Sequence, residues 1–290
     1  MQELLHQLAT GVSSGGIYAS LALALVMIYR STGHVNFAQG EMAMLSSFIA
    51  WTLLDQGVSY WLAFLITVGV SFFSGALIER TLIRPLAHNR EMLLVTAYLG
   101  LFMICNSLAG WIWGYDTRAF ASPFDGLSFL NNPYETPHDL GAMAVTLVLM
   151  AALFVFFQFT STGLAMRAST ENPISSRLVG ISVGRMSGLG WGLAAAIGAA
   201  AGMMVAPTVF LEPNMMASVL VYGFAAALLG GIDNPWGAVA GGYLVAILEN
   251  LLGVYVIGNE MRMSVALVLI IGVLVVKPEG LFGRRTVARV

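Results

Sequence analysis

The chain has 290 residues, 58% hydrophobic and 10% charged, with a mean hydropathy of +0.82 and a net charge of -2. That composition excludes an ordinary soluble globular domain and marks an integral membrane protein. Its 13 Lys and Arg residues are spread among short segments, which excludes the basic stripe that nucleic acid requires.

In chain order, uncharged apolar runs cover residues 8–29, 58–78, 92–115, 140–166, 186–211 and 213–232. Each can cross a hydrocarbon core of about 30 Å, which takes roughly 20 helical residues. Three weaker runs complete the series. Residues 35–54 are interrupted by Glu41, residues 234–257 contain Glu249, and residues 263–276 are too short for a full span unless flanks are recruited or the helix is re-entrant. Together these runs predict an all-α polytopic membrane protein with a bundle of about 8 to 10 transmembrane helices, at least one of them broken or re-entrant. Residues 1–290 are expected to form one transmembrane domain. The first seven residues carry Glu3 and His6 but no Lys or Arg, so the positive region of a secretory signal is missing and the first run is expected to stay in the mature chain.

Assigning the connecting segments to alternate sides puts Arg30, Arg80, Arg84, Arg90, Arg167, Arg177, Arg185, Lys277, Arg284, Arg285 and Arg289 on one face. Only Arg118 and Arg262 fall on the other. Basic loops are retained in the cytoplasm, so the N-terminus is expected outside and the C-terminus inside. Two connections are long. The outer one, residues 116–139, holds Pro123, Asn131, Asn132, Pro133 and Pro137, a turn-rich composition. The inner one, residues 160–187, is polar and mixed in charge. Ser169 and Thr170 before Glu171 resemble helix-start chemistry and Gly180 resembles a stop, so one or two short surface helices are expected there.

Gly188 and Gly192, Gly198 and Gly202, and Gly237 and Gly241 repeat at four-residue spacing within apolar runs. Such small faces let helix backbones approach closely in lipid. Gly230 and Gly231, followed by Asp233, Asn234 and Pro235, predict a sharp turn. Cys105 lies alone in an apolar run and reads as a buried small hydrophobe. Charges at membrane depth cost at least about 2.5 kcal/mol, so Glu41 and Glu249 need partners or a wet cavity. Glu41 closes the segment Asn36, Phe37, Ala38, Gln39, Gly40, Glu41. Either a broken helix lines a cavity there, or Asn36 caps an interfacial helix with Glu41 in its first turn. For Glu249 with Asn250, hydrogen bonding between helices is favoured over substrate contact, and Glu79 is expected to pair with Arg80.

Catalytic constellations are missing from the sequence. His6, His34, His88 and His138 have no metal-ligand spacing. Lys277, the one lysine, precedes Pro278, whereas a phosphate-cradling Walker lysine precedes Ser or Thr. No cofactor is expected on this chain, and any energy from ATP has to come through other subunits.

Four motifs in order resemble the membrane permeases of branched-chain amino-acid ABC importers, the LivH type, over essentially the whole chain. They are Asn36 through Glu41; Arg167 and Ala168 leading through Glu171 to Leu178, Val179, Gly180 and Ile181; Ala227 through Ile232 with Gly237, Ala238, Gly241 and Gly242; and Lys277 through Gly283. The bulky Trp236 stands where a smaller neighbour is expected. The resemblance implies a permease subunit in a bacterial inner membrane, working with a homologous second permease, two cytoplasmic ATPase subunits and an extracytoplasmic solute-binding protein. It also implies that Arg167, Ala168, Glu171, Asn172, Arg177, Gly180 and Ile181 belong to a coupling segment that docks on an ATPase. Asn36, Gln39, Gly40, Glu41, Glu249 and Asn250 are the expected substrate pathway, facing the interface between permease subunits. Carriers of urea or short amides remain open as relatives, and so does a stand-alone ion-coupled transporter or channel.

Overall fold

The computed structural model describes residues 2–86, 91–125 and 136–283. A chain in lipid must satisfy its backbone polar groups internally, and long apolar runs do so as helices. Among the described residues, extended pairing is limited to one antiparallel bridge between Arg118 and Leu211. The helices are α1 (Gln2–Thr32), α2 (Gln39–Asp55), α3 (Tyr60–Ile78), α4 (Arg84–Leu86), α5 (Glu91–Trp113) and α6 (Pro137–Phe159). They continue with α7 (Ser161–Glu171), α8 (Pro173–Leu178), α9 (Val183–Val209), α10 (Met216–Gly230), α11 (Pro235–Leu252) and α12 (Arg262–Val276). A π-helical turn, Glu79–Ile83, joins α3 to α4 without a break, and another, Gly253–Ile257, prolongs α11.

Six described helices are long and apolar enough to cross a membrane: His6–Thr32, Tyr60–Leu86, Met92–Trp113, Pro137–Phe159, Val183–Val209 and Pro235–Ile257. The protein is therefore an all-α, multi-pass membrane protein. The remaining predicted runs appear as shorter helices, α2 with 17 residues and α10 and α12 with 15 each. The short final run recruits one flanking residue, Arg262.

Several boundaries differ from expectation. The run over 140–166 is not one helix. It breaks at Thr160, where the inner connection is expected to begin; the Thr160 hydroxyl accepts a hydrogen bond from the Gly163 amide and caps α7. Ser169 and Thr170 therefore lie inside α7 rather than at a helix start, and the Ser169 hydroxyl donates back to the Met166 carbonyl. The next start belongs to Asn172, which accepts from the Ser175 amide ahead of Pro173 at N1. Gly180, at φ 86°, does stop α8, and α9 begins at Val183 within the segment read as loop. In the outer connection, α6 starts at Pro137. Asn131, Asn132 and Pro133 there, together with His88, Arg90, Arg284, Arg285 and Arg289, lie outside the described residues.

The chain divides into two compact units, each assembled from separate stretches. The first takes Met1–Val26, Phe124–Met150 and Ser218–Val290. Its core sets Ala22 and Val26 of α1 among Tyr222, Ala226, Val245 and Ala266. Small residues set the spacing: a Cβ on Gly242 would stand 2.6 Å from the Ala19 backbone, and one on Gly241 would stand 2.2 Å from the Ala226 carbonyl. Gly231, at φ 109°, makes the predicted sharp turn between α10 and α11. The segment after α12 folds back over that turn, with the Leu281 and Phe282 amides donating to the Leu229 and Gly230 carbonyls at 2.7 and 3.1 Å. Trp236 points outward and is half exposed, so its bulk does not enter the helix spacing.

The second unit takes Met27–Pro123 and Ala151–Ala217 and is built around α9, buried along most of its length. A Cβ on Gly75 of α3 would stand 2.7 Å from the Trp191 carbonyl, and one on Gly202 would stand 2.6 Å from the Ala43 carbonyl of α2. The glycine pairs read from the sequence thus mark close helix approaches in both units.

Candidate functional site

The chain leaves α1 after Thr32, turns at Gly33 (φ 76°) and runs without helix through residues 34–38 before α2 begins. Asn36 does not cap α2; its Oδ1 accepts from the Ala38 amide at 2.9 Å, and Ala38 occupies the cap position. Gln39 Nε2 donates to the Ala194 carbonyl at 3.0 Å. Ala194 lies 11 residues beyond Val183, about 16 Å along α9 at 1.5 Å per residue. The break before α2 therefore sits beside the middle of a spanning helix, not at its end. Asn36, Gln39 and Glu41 are exposed by only 0, 0 and 1%, and Gly40 is buried with them.

Glu41 meets a residue that the sequence reading passed over. Asn106 of α5 donates from Nδ2 to Glu41 Oε2 at 3.2 Å, to the Pro213 carbonyl at 3.0 Å and to Asn214 Oδ1 at 3.2 Å. A usable signal was present: Asn106 is the sole amide in the uncharged run over 92–115. The linker it touches is held in place, since Leu211 exchanges both backbone hydrogen bonds with Arg118 at 2.9 Å. Arg118 also lies over the Trp51 ring at 4.4 Å and donates to the Trp113 carbonyl.

Glu249 and Asn250 belong to the first unit, and both bond across to α1. Tyr18 donates its hydroxyl to Glu249 Oε2 at 3.0 Å while stacking on Tyr222 with centroids 4.6 Å apart. Asn250 Nδ2 donates to the Gln7 carbonyl and to Gln7 Oε1, at 2.6 and 2.9 Å. The six predicted pathway residues thus fall into two groups, one in each unit. All are buried within the chain instead of displayed on its outer surface.

The residues expected to couple to an ATPase stay together in the second unit. Glu171, Asn172, Arg177 and Gly180 are exposed on the α7–α8 hairpin, and Arg167, Ala168 and Ile181 are half-buried at its base. Thr170 fastens the hairpin by donating to the Arg30 carbonyl at the end of α1. Ile174 and Leu178 of α8 and the following Val179 are exposed apolar side chains, at 73, 84 and 76%, with Ser175 and Arg177 exposed beside them.

Glu79 pairs with Arg84 rather than with Arg80. The π-helical turn brings residues five apart onto one face, so Arg84 reaches both carboxylate oxygens, Nε to Oε1 at 3.2 Å and NH2 to Oε2 at 2.5 Å. The same guanidinium donates to the Gly184 carbonyl of α9, and a Cβ on Gly184 would come within 3.2 Å of it.

A family model described as the permease component of branched-chain amino acid transport systems matches residues 7–274. The chain belongs to that permease family. LivH of Escherichia coli (strain K12), a high-affinity branched-chain amino acid transport system permease protein, is 29% identical over 99% of this chain and 97% of its own. BraD of Pseudomonas aeruginosa, with the same description, is 29% identical over all of both chains. A probable LivH permease of Methanocaldococcus jannaschii is 28% identical over 91% of this permease and 87% of its own length. Among solved structures, a chain of PsaBC from Streptococcus pneumoniae in complex with Fab aligns with a TM-score of 0.51 at 10% identity. It covers 93% of this permease and 91% of that chain, a likeness of fold alone.

Proposed function

We propose that this permease is one membrane-spanning half of an ATP-driven ABC importer that carries branched-chain or closely related amino acids into the cell. The observation that carries the reading is the family match over residues 7–274, which includes the buried segment around Glu41 and the α7–α8 hairpin. The importer resides in the bacterial inner membrane with the permease N-terminus outside and its C-terminus in the cytoplasm, as the bias of basic residues favours. The spans number nine, with α2, α10 and α12 as the short ones. A second, homologous permease completes the gate, two cytoplasmic ATPases supply the force, and an external solute-binding protein delivers the substrate. This chain holds no nucleotide itself.

The α7–α8 hairpin is the handle that an ATPase grips. Ile174, Leu178 and Val179 offer an apolar contact, with Arg177 and Glu171 at its edge, and the Thr170 bond to Arg30 carries the motion into α1. Contact of this kind depends on shape and apolar burial more than on charge, so salt weakens it little. Amino acids pass by way of the buried polar groups of each unit, with Asn36, Gln39 and Glu41 in one and Glu249 and Asn250 in the other.

Co-purification tests the assembly. Tagged permease is expected to elute with ATPase subunits whose turnover rises when loaded solute-binding protein is added. Native Cys105 is buried, so a Leu178→Cys variant reports its own side of the membrane. Labelling from the cytoplasm agrees with the reading; labelling from outside, or elution without any ATPase, contradicts it.

A further inference from the structure

Three acceptors converge on a single nitrogen in the second unit: Glu41 Oε2, the Pro213 carbonyl and Asn214 Oδ1 surround Asn106 Nδ2 at 3.2, 3.0 and 3.2 Å. An amide nitrogen carries two hydrogens, so Asn106 cannot satisfy all three acceptors at once. A primary ammonium carries three hydrogens and a positive charge. Glu41 is a buried carboxylate with no ion pair among the described residues. Glu79 shows the other solution in the same unit, since its carboxylate is covered by the Arg84 guanidinium.

From this we infer that Glu41, Pro213 and Asn214 form a binding site for the α-ammonium group of an amino acid, and that the Asn106 amide occupies the site until substrate arrives. The inference rests on the transport reading above and names the substrate group that this unit recognises. Access is provided for: Asn214 is exposed and Asn106 only half-buried, so rotation of the Asn106 side chain about its own torsions vacates the position. The acceptors stay where they are, because Arg118 pins Leu211 at the head of the linker and Glu41 sits in the first turn of α2. Fixed acceptors of this kind lower the cost of binding. The site supplies a charge-assisted contact to the ammonium and makes no demand on the side chain, which suits a permease whose selectivity is set upstream.

Glu41→Gln separates this role from a purely structural tie. Glutamine keeps an oxygen that accepts from Asn106 and removes only the charge. In proteoliposomes holding the complete transporter, leucine uptake by the variant is expected to fall at least about tenfold, the fold-change of a charge-assisted hydrogen bond. ATP turnover stimulated by loaded binding protein is expected to persist. Without binding protein, leucine should raise the melting midpoint of the wild-type permease–ATPase complex, while isocaproate, which lacks the amine, should not. Asn106→Ala is the second variant. It frees the acceptors, so its midpoint shift with leucine should exceed that of wild type. Wild-type uptake by Glu41→Gln, equal stabilisation by isocaproate, or loss of the leucine shift in Asn106→Ala would overturn the site. A wild-type leucine shift without any ATP-driven uptake would support the site and refute the transport reading.

Discussion

Glu249 and Glu41 are both buried glutamates next to helix ends or breaks, yet the two units treat them differently. In the first unit, Glu249 is locked between helices: a phenol from α1 donates to it, that phenol stacks on Tyr222, and the neighbouring Asn250 is tied to Gln7. In the second unit, Glu41 is met by one amide that it shares with two other acceptors, one of them on an exposed residue. A carboxylate that closes a dedicated contact between helices stabilises packing. One whose donor is oversubscribed can exchange that donor for a ligand. Glu79, paired through two oxygens with Arg84, marks the fully committed extreme.

The comparison orders the expected effects. Arg84→Ala leaves the buried Glu79 without its guanidinium; Arg84 is itself 39% exposed, so the cost is expected at the low end of the about 3–5 kcal/mol of a buried pair. The variant is expected to show the largest drop in melting midpoint of the purified complex; a drop smaller than that of Tyr18→Phe would break the ordering. Tyr18→Phe removes one of the two phenol donors to Glu249, leaving that of Tyr222, and is expected to cost about 1.5 kcal/mol. Uptake per folded molecule should stay close to wild type, and a selective loss of uptake with normal stability would move Glu249 from packing to transport. Asn172→Ala removes the cap of α8 and is expected to cost about 1 kcal/mol. Its signature is faster proteolysis within residues 160–182, with the rest of the chain protected. Leu178→Asp alters a side chain exposed in the isolated permease, so the midpoint of the permease without its ATPases should change by less than about 0.5 kcal/mol equivalent. ATP turnover and uptake should nonetheless separate, and normal coupling in this variant would remove α8 from the ATPase contact. Glu41→Gln should have the smallest effect on stability beside its large effect on uptake, the reverse of Tyr18→Phe.

Much of this organisation was legible in the sequence because it follows from one-dimensional signals. Uncharged runs give helices in lipid whatever their neighbours, and glycines four residues apart mark close approaches, as Gly202 against Ala43 shows. The burial of Glu41 and Glu249 follows from the same economy of charge. The break at Thr160 coincides with the start of the polar inner connection and was legible, whereas hydropathy alone runs the apolar stretch on to residue 166 and hides the helix start that Thr160 caps. Features that depend on a turn changing its period were not legible. The Glu79 partner moved from Arg80 to Arg84 because a π-helical turn aligns residues five apart, and hydropathy carries no trace of that insertion. Asn106 went unnoticed because its meaning lies in partners 65 and 107 residues away.

Uptake by the reconstituted transporter tests the central claim most directly, that the permease moves its substrate by force borrowed from partner ATPases. Proteoliposomes containing the permease, its partner subunits and the loaded binding protein are expected to accumulate leucine only when ATP is present on the ATPase side. Accumulation by the permease alone, driven by a proton or sodium gradient and indifferent to ATP, would contradict the account.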